Sequence, residues 1–178
     1  MLNEKNYDRA AAVAYARKWA FGRNPLFDNY AGIGGDCTNF VSQCILAGCC
    51  TMNFTPTFGW YYISPNARTP SWTGVEFLYD FLINNRNQGP LGLPSPIESA
   101  EPGDVIQLSK NGDWYHTLLV TNVVENDILV AAHTNDALDK PLSSYSYDEP
   151  RLIKITSVKY DVEISCFPGL YNGIELRI

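Results

Sequence analysis

No stretch of this chain approaches the ~20 consecutive apolar residues that a membrane-spanning helix needs. Basic residues are in the minority, 13 Lys and Arg against 19 Asp and Glu, for a formal charge of −6. Nucleic acids and anionic membranes call for a basic face, so neither is an expected partner. The N-terminal residues, Met1 to Tyr7, contain no apolar h-region, so no signal peptide is visible. None of the five cysteines, at 37, 44, 49, 50 and 166, forms a C-x-x-C pair, and only two histidines occur. Charged residues make up 18% and hydrophobic residues 46%, the balance of a soluble globular chain.

The 178 residues suit one domain spanning 1–178, with a core large enough to need no staples. Most of the cysteines are therefore expected to be reduced, and Cys44 reads as a small core residue. Aromatics are abundant at 13%, led by eleven tyrosines.

Residues 7–22 read as a helix capped by Asn6, with Ala11, Tyr15 and Trp19 as its buried row. A second helix is predicted from Asp36 or Cys37 to about Leu46, with Phe40, Val41, Cys44 and Ile45 as its apolar face. Residues 49–73 read as a long aromatic loop, and loops of that length are often binding surfaces. Trp60 and Trp72 are therefore candidate substrate contacts. A helix follows over Trp72–Asn84. Strand-like runs then occupy Asp104–Leu108, His116–Val124, Ile128–His133, Arg151–Lys159 and Tyr160–Ser165. Helices first and strands second suggest an α+β fold with an antiparallel sheet.

Residues 34–43 read G-G-D-C-T-N-F-V-S-Q. A cysteine at a helix start meets unpaired backbone N–H groups and the helix dipole, both of which favour the thiolate. Those N–H groups can also receive the oxyanion formed when sulfur attacks a carbonyl. Asp36 reads either as a plain N-cap or as a substrate contact. His116 opens one strand-like run and His133 ends the next. A hairpin with the loop Val124-Glu125-Asn126-Asp127 would set Val123 opposite Ile128 and His133 opposite Leu118. His116 and His133 would then share a face, ~7–8 Å apart at Cα. Asn135 would lie across from His116. A register changed by one residue would put the two rings on opposite faces.

G-G-D-C-T-N-F-V-S-Q, P-G-D-V-I-Q-L, H-T-L-L-V-T and A-A-H-T-N-D, with the N-terminal Y-D-R-A-A-A-V-A-Y-A, resemble the putative amidase domain family, and through it the NlpC-type and CHAP cell-wall hydrolases. The resemblance implies a papain-like core, with the nucleophile helix packed on an antiparallel β-sheet. It implies Cys37 as nucleophile, His116 as general base and His133 in the third position, with Asn135 as the rival there. It implies hydrolysis of an amide in bacterial peptidoglycan through a thioester acyl-enzyme, by a monomer without metal or other cofactor. Action on the wall then requires a phage lysin or the excised domain of a secreted protein; otherwise the chain is cytoplasmic. Three other readings stay open: a zinc hydrolase ligated by Cys37, His116 and His133, a non-catalytic glycan- or peptide-binding module, and acyl transfer to an amine.

Overall fold

The computed structural model describes residues 1–178. Helix α1 covers Arg9–Trp19 and is capped by Asp8, not Asn6: the Asp8 side chain accepts from the Ala11 amide. Its buried row is Ala12, Tyr15 and Ala16, one position round from the expected one. Helix α2, Cys37–Cys49, is buried along all thirteen residues instead of on one face. A helix apolar enough to be enclosed on every side belongs in the middle of a core. It ends at Cys50, which takes a left-handed conformation with φ 51°.

The segment expected to be an aromatic loop is folded. Strands β2 (Tyr62–Ser64) and β3 (Ala67–Arg68) pair, and the short helix α3 (Pro70–Thr73) leads into α4 (Val75–Asn84). The main sheet is antiparallel. Strand β9 (Glu149–Tyr160) is flanked by β5 (Val105–Lys110) at its start, β1 (Asn3–Lys5) at its end and β4 (Gly89–Ser95) along its other edge. From β5 the sheet continues through β6 (Asp113–Val124), β7 (Asp127–Ala132) and β8 (Ala137–Pro141). The molecule is thus α+β with an antiparallel sheet, as the order of elements predicts.

One face of the sheet packs on α1, α2 and α4 in a core that includes Phe40, Trp60, Trp72 and Leu119. The other face carries a smaller cluster, including Ile106, Leu118, Val130 and Leu142. The strand expected over Tyr160–Ser165 does not form: Tyr160 ends β9, and residues 161–165 are irregular. The tail instead forms helix α5, Phe167–Asn172, and Cys166 is disulfide-bonded to Cys50. Cys37, Cys44 and Cys49 remain free.

The β6–β7 hairpin departs from the expected register at one residue. Val123 faces Ile128 and Asn122 faces Leu129 as anticipated, but Val120 pairs with Val130. Thr121 is left over as a bulge, so Leu119 faces Ala131. Continued along the strands, this register sets His133 beside Thr117 and not beside Leu118. Side chains alternate across a sheet, so the two histidines leave on opposite faces.

Candidate active site

Cys37 is the first residue of α2 and is only 7% exposed. Its sulfur lies 3.8 Å from Thr38 Oγ1, and Thr38 Oγ1 shares a 2.8 Å hydrogen bond with Thr117 Oγ1. That bond fastens the first turn of α2 to β6 at the residue after His116. Gly34, Gly35, Cys37, His116 and Asn135 line one cavity of about 360 Å³, within the range of small-ligand sites. Cys37 and His116, distant in the chain, are therefore brought to one concavity.

The two groups rest neutral. Burial pushes the Cys37 thiol above its ordinary value, and this outweighs support from the backbones of Thr117, Thr38 and Cys37 and from the Thr38 side chain. The expected depressed thiol is thus corrected: the helix start supports the thiolate, but enclosure wins. His116 is pushed down to about 4, mainly by burial and then by the positive charge of Lys140. The imidazole is therefore neutral at rest, with its basicity lowered. Its ring lies beside those of Tyr115 and Tyr145, with centroids 5.9 and 5.8 Å away.

His133 stands elsewhere. Its Nδ1 is 2.6 Å from the Asp36 carboxylate, and its Nε2 is 2.8 Å from the Trp19 carbonyl and 3.2 Å from Arg23 Nη1. The ring stacks on Phe40 at 3.9 Å. With both nitrogens engaged on the α2 side of the sheet, His133 cannot orient His116, and the third position implied for it is corrected. The same placement separates it from Cys37 and His116 as a metal-ligand set.

Asp36 neither caps α2 nor faces substrate. It is fully buried, and its carboxylate receives hydrogen bonds from the Tyr30 amide, the Asn39 side chain and His133. Burial pushes this carboxyl up, but those hydrogen bonds and the charge of His133 hold it below the usual carboxylate range. Because its side chain makes no capping bond, the first amides of α2 stay free of a side-chain cap. Trp60 and Trp72 are also corrected. Both are fully buried and pack on each other at 4.8 Å. Their indole N–H groups donate to Ser42 Oγ and Asn39 Oδ1, so they hold α2 in place and do not meet substrate.

Asn135 is not on a strand. With Thr134 it forms the turn between β7 and β8, and both have positive φ, 61° and 63°. That is the geometry of a type I′ hairpin. Thr134 Oγ1 accepts from the Asp36 amide at 2.8 Å, so the turn is tied to the residue before the thiol. Sequence reading missed Thr134, Lys140 and Tyr145 at this site. The turn chemistry of Thr134-Asn135 could have pointed to the first, because Asn tolerates the left-handed region.

No solved structure matches this chain. A protein of Bacillus subtilis (strain 168), named only as uncharacterized protein YhbB, is 35% identical over 139 residues. The match covers 74% of this chain and 42% of the relative, so the chain spans less than half of that relative's length. The profile of the putative amidase domain matches residues 6–156, which include Cys37, His116, His133 and Asn135. With the matched region running from just before α1 into β9, the chain belongs to the putative amidase domain family.

Proposed function

We propose that this chain is a cysteine-dependent amide hydrolase with a papain-like core, acting on the peptide of bacterial peptidoglycan. The observation that carries the reading is the shared cavity of Cys37 and His116, with the uncapped start of α2 at its wall. In this mechanism the substrate carbonyl meets the thiol beside the first amides of α2. As sulfur attacks the carbon, His116 takes the thiol proton, so the resting neutral pair becomes charged only when the substrate is in place. The oxyanion is received by backbone N–H groups. Collapse breaks the C–N bond, and the leaving amine takes the proton from His116. A water molecule, deprotonated by His116, then cleaves the thioester and returns the thiol, releasing a carboxylate. Of the two residues weighed for the third position, only Asn135 lines the cavity, and it takes that place here.

Digestion of purified peptidoglycan by wild type and Cys37→Ala, with mass spectrometry of the soluble fragments, tests the reading. Fragments with new amine and carboxylate ends are expected from wild type alone. Equal release by both proteins, or none by either, would overturn it.

A further inference from the structure

Among the residues that line the Cys37 cavity, Lys140 is the one with a full formal charge, and no carboxylate lines it. This is unusual in a chain of net charge −6. Several cations elsewhere in the fold are paired, Arg17 with Asp139, Arg23 with Asp136 and Lys154 with Asp104. Lys140 has no acidic partner within ion-pair distance. Its Nζ instead sits 4.2 Å above the Tyr145 ring, a contact that positions an ammonium without neutralising it.

Strand pairing places it on purpose. Val120 pairs with Val130 and Val130 with Lys140, so Lys140 shares the face of the sheet that carries His116. Its charge is felt there, since it is the second cause of the low basicity of His116. A second polar group beside it is unused: the Tyr145 hydroxyl is buried and has no hydrogen-bond partner. Burial keeps that phenol protonated, with its pKa pushed up to about 12, so it stays a donor. Lys140 and Tyr145 both line the concavity, and a cation there without an acidic partner draws an anion.

We infer that the cavity takes a peptide amide that bears a free carboxylate, with Lys140 as the residue that selects it. This rests on the proposed amide hydrolysis at Cys37 and narrows its substrate class. Within peptidoglycan it favours stem peptides whose carboxylate is free over those in which it is amidated.

The test uses a pair of small alkylating agents that differ in one charge. Iodoacetate and iodoacetamide both transfer a two-carbon group to a thiolate and release iodide. The ratio of their rates at Cys37, read by peptide mapping, cancels any change in the thiol's own ionisation. A cation lining the cavity should favour the anionic reagent, so Lys140→Gln should lower the ratio about three- to tenfold, and Lys140→Glu further. An unchanged ratio in both variants would overturn the inference. Failure of the proposed hydrolysis shows separately, as fragment release that survives Cys37→Ala.

Discussion

The two histidines are the two faces of one hairpin. His133 is wedged between Asp36, the Trp19 carbonyl and Arg23, and flat against Phe40. His116, on the other face, opens into a cavity, and its basicity reflects burial and a nearby charge with no hydrogen bond contributing. The first arrangement fixes a ring in place; the second leaves its nitrogens available for chemistry. The same residue type, at the ends of adjacent strands, does structural work on one face and has the setting for catalysis on the other.

Mutation of each ring should separate the two roles. His116→Ala should cut turnover about 10²- to 10⁴-fold and leave the melting temperature near that of wild type. His133→Ala should do the reverse. It leaves the Asp36 carboxylate buried with its main partner gone, a loss of about 3 kcal/mol or more, seen in urea unfolding at pH 7. Turnover of the protein that remains folded should keep its pH profile. A stable His133→Ala with lost turnover would return His133 to the catalytic set.

Acid sharpens the contrast further. The unfolded chain protonates His116 from about pH 6.5 downward, whereas the folded protein does so only near pH 4. Protons in that window therefore favour unfolding: the contribution is intact above 6.5 and is lost as the pH falls to 4. At about 1.4 kcal/mol per pH unit, the gap amounts to about 3 kcal/mol. Comparison of unfolding at pH 7 and pH 4.5 should show most of this loss in wild type and its absence in His116→Gln. The same fall in both proteins would mean the imidazole is not held neutral.

The smallest effect lies at the bulge. Thr121 Oγ1 donates to Asp139 at 2.7 Å, and Asp139 also pairs with Arg17 at the surface. Thr121→Val should cost about 1 kcal/mol. A loss several times larger would show that this one bond sets the register on which both histidines depend.

The Gly-Gly-Asp-Cys junction and the apolar run behind it were enough to place Cys37 at the start of α2, because turn and helix signals are local. The strands of residues 104–133 were legible for the same reason. Three features were not. Trp60 and Trp72 carry the same composition in a loop and in a core, and only packing distinguishes them. Cys50 and Cys166 are 116 residues apart, beyond any local pattern. Strand β4 contains Pro90 and Pro94, which argue against a strand, yet it pairs with β9 at an edge of the sheet where missing N–H groups are tolerated. The facing of His133 escapes sequence reading for a subtler reason: the turn follows the local signals, and a single unpaired threonine before it in β6 reverses the result.

That threonine works as a parity switch. Every residue of a strand is odd or even with respect to its neighbour, and one insertion inverts the parity of all that follow. Here the inversion falls between the hairpin turn and both histidines. A relative with the same letters but no bulge, its residue 121 opposite 130, would set the A-A-H-T-N-D histidine opposite Leu118, on the His116 face and away from Asp36. Across this family, spelling alone is therefore not enough to assign a duty to the second histidine; whether the residue at 121 is paired or bulged has to be known as well.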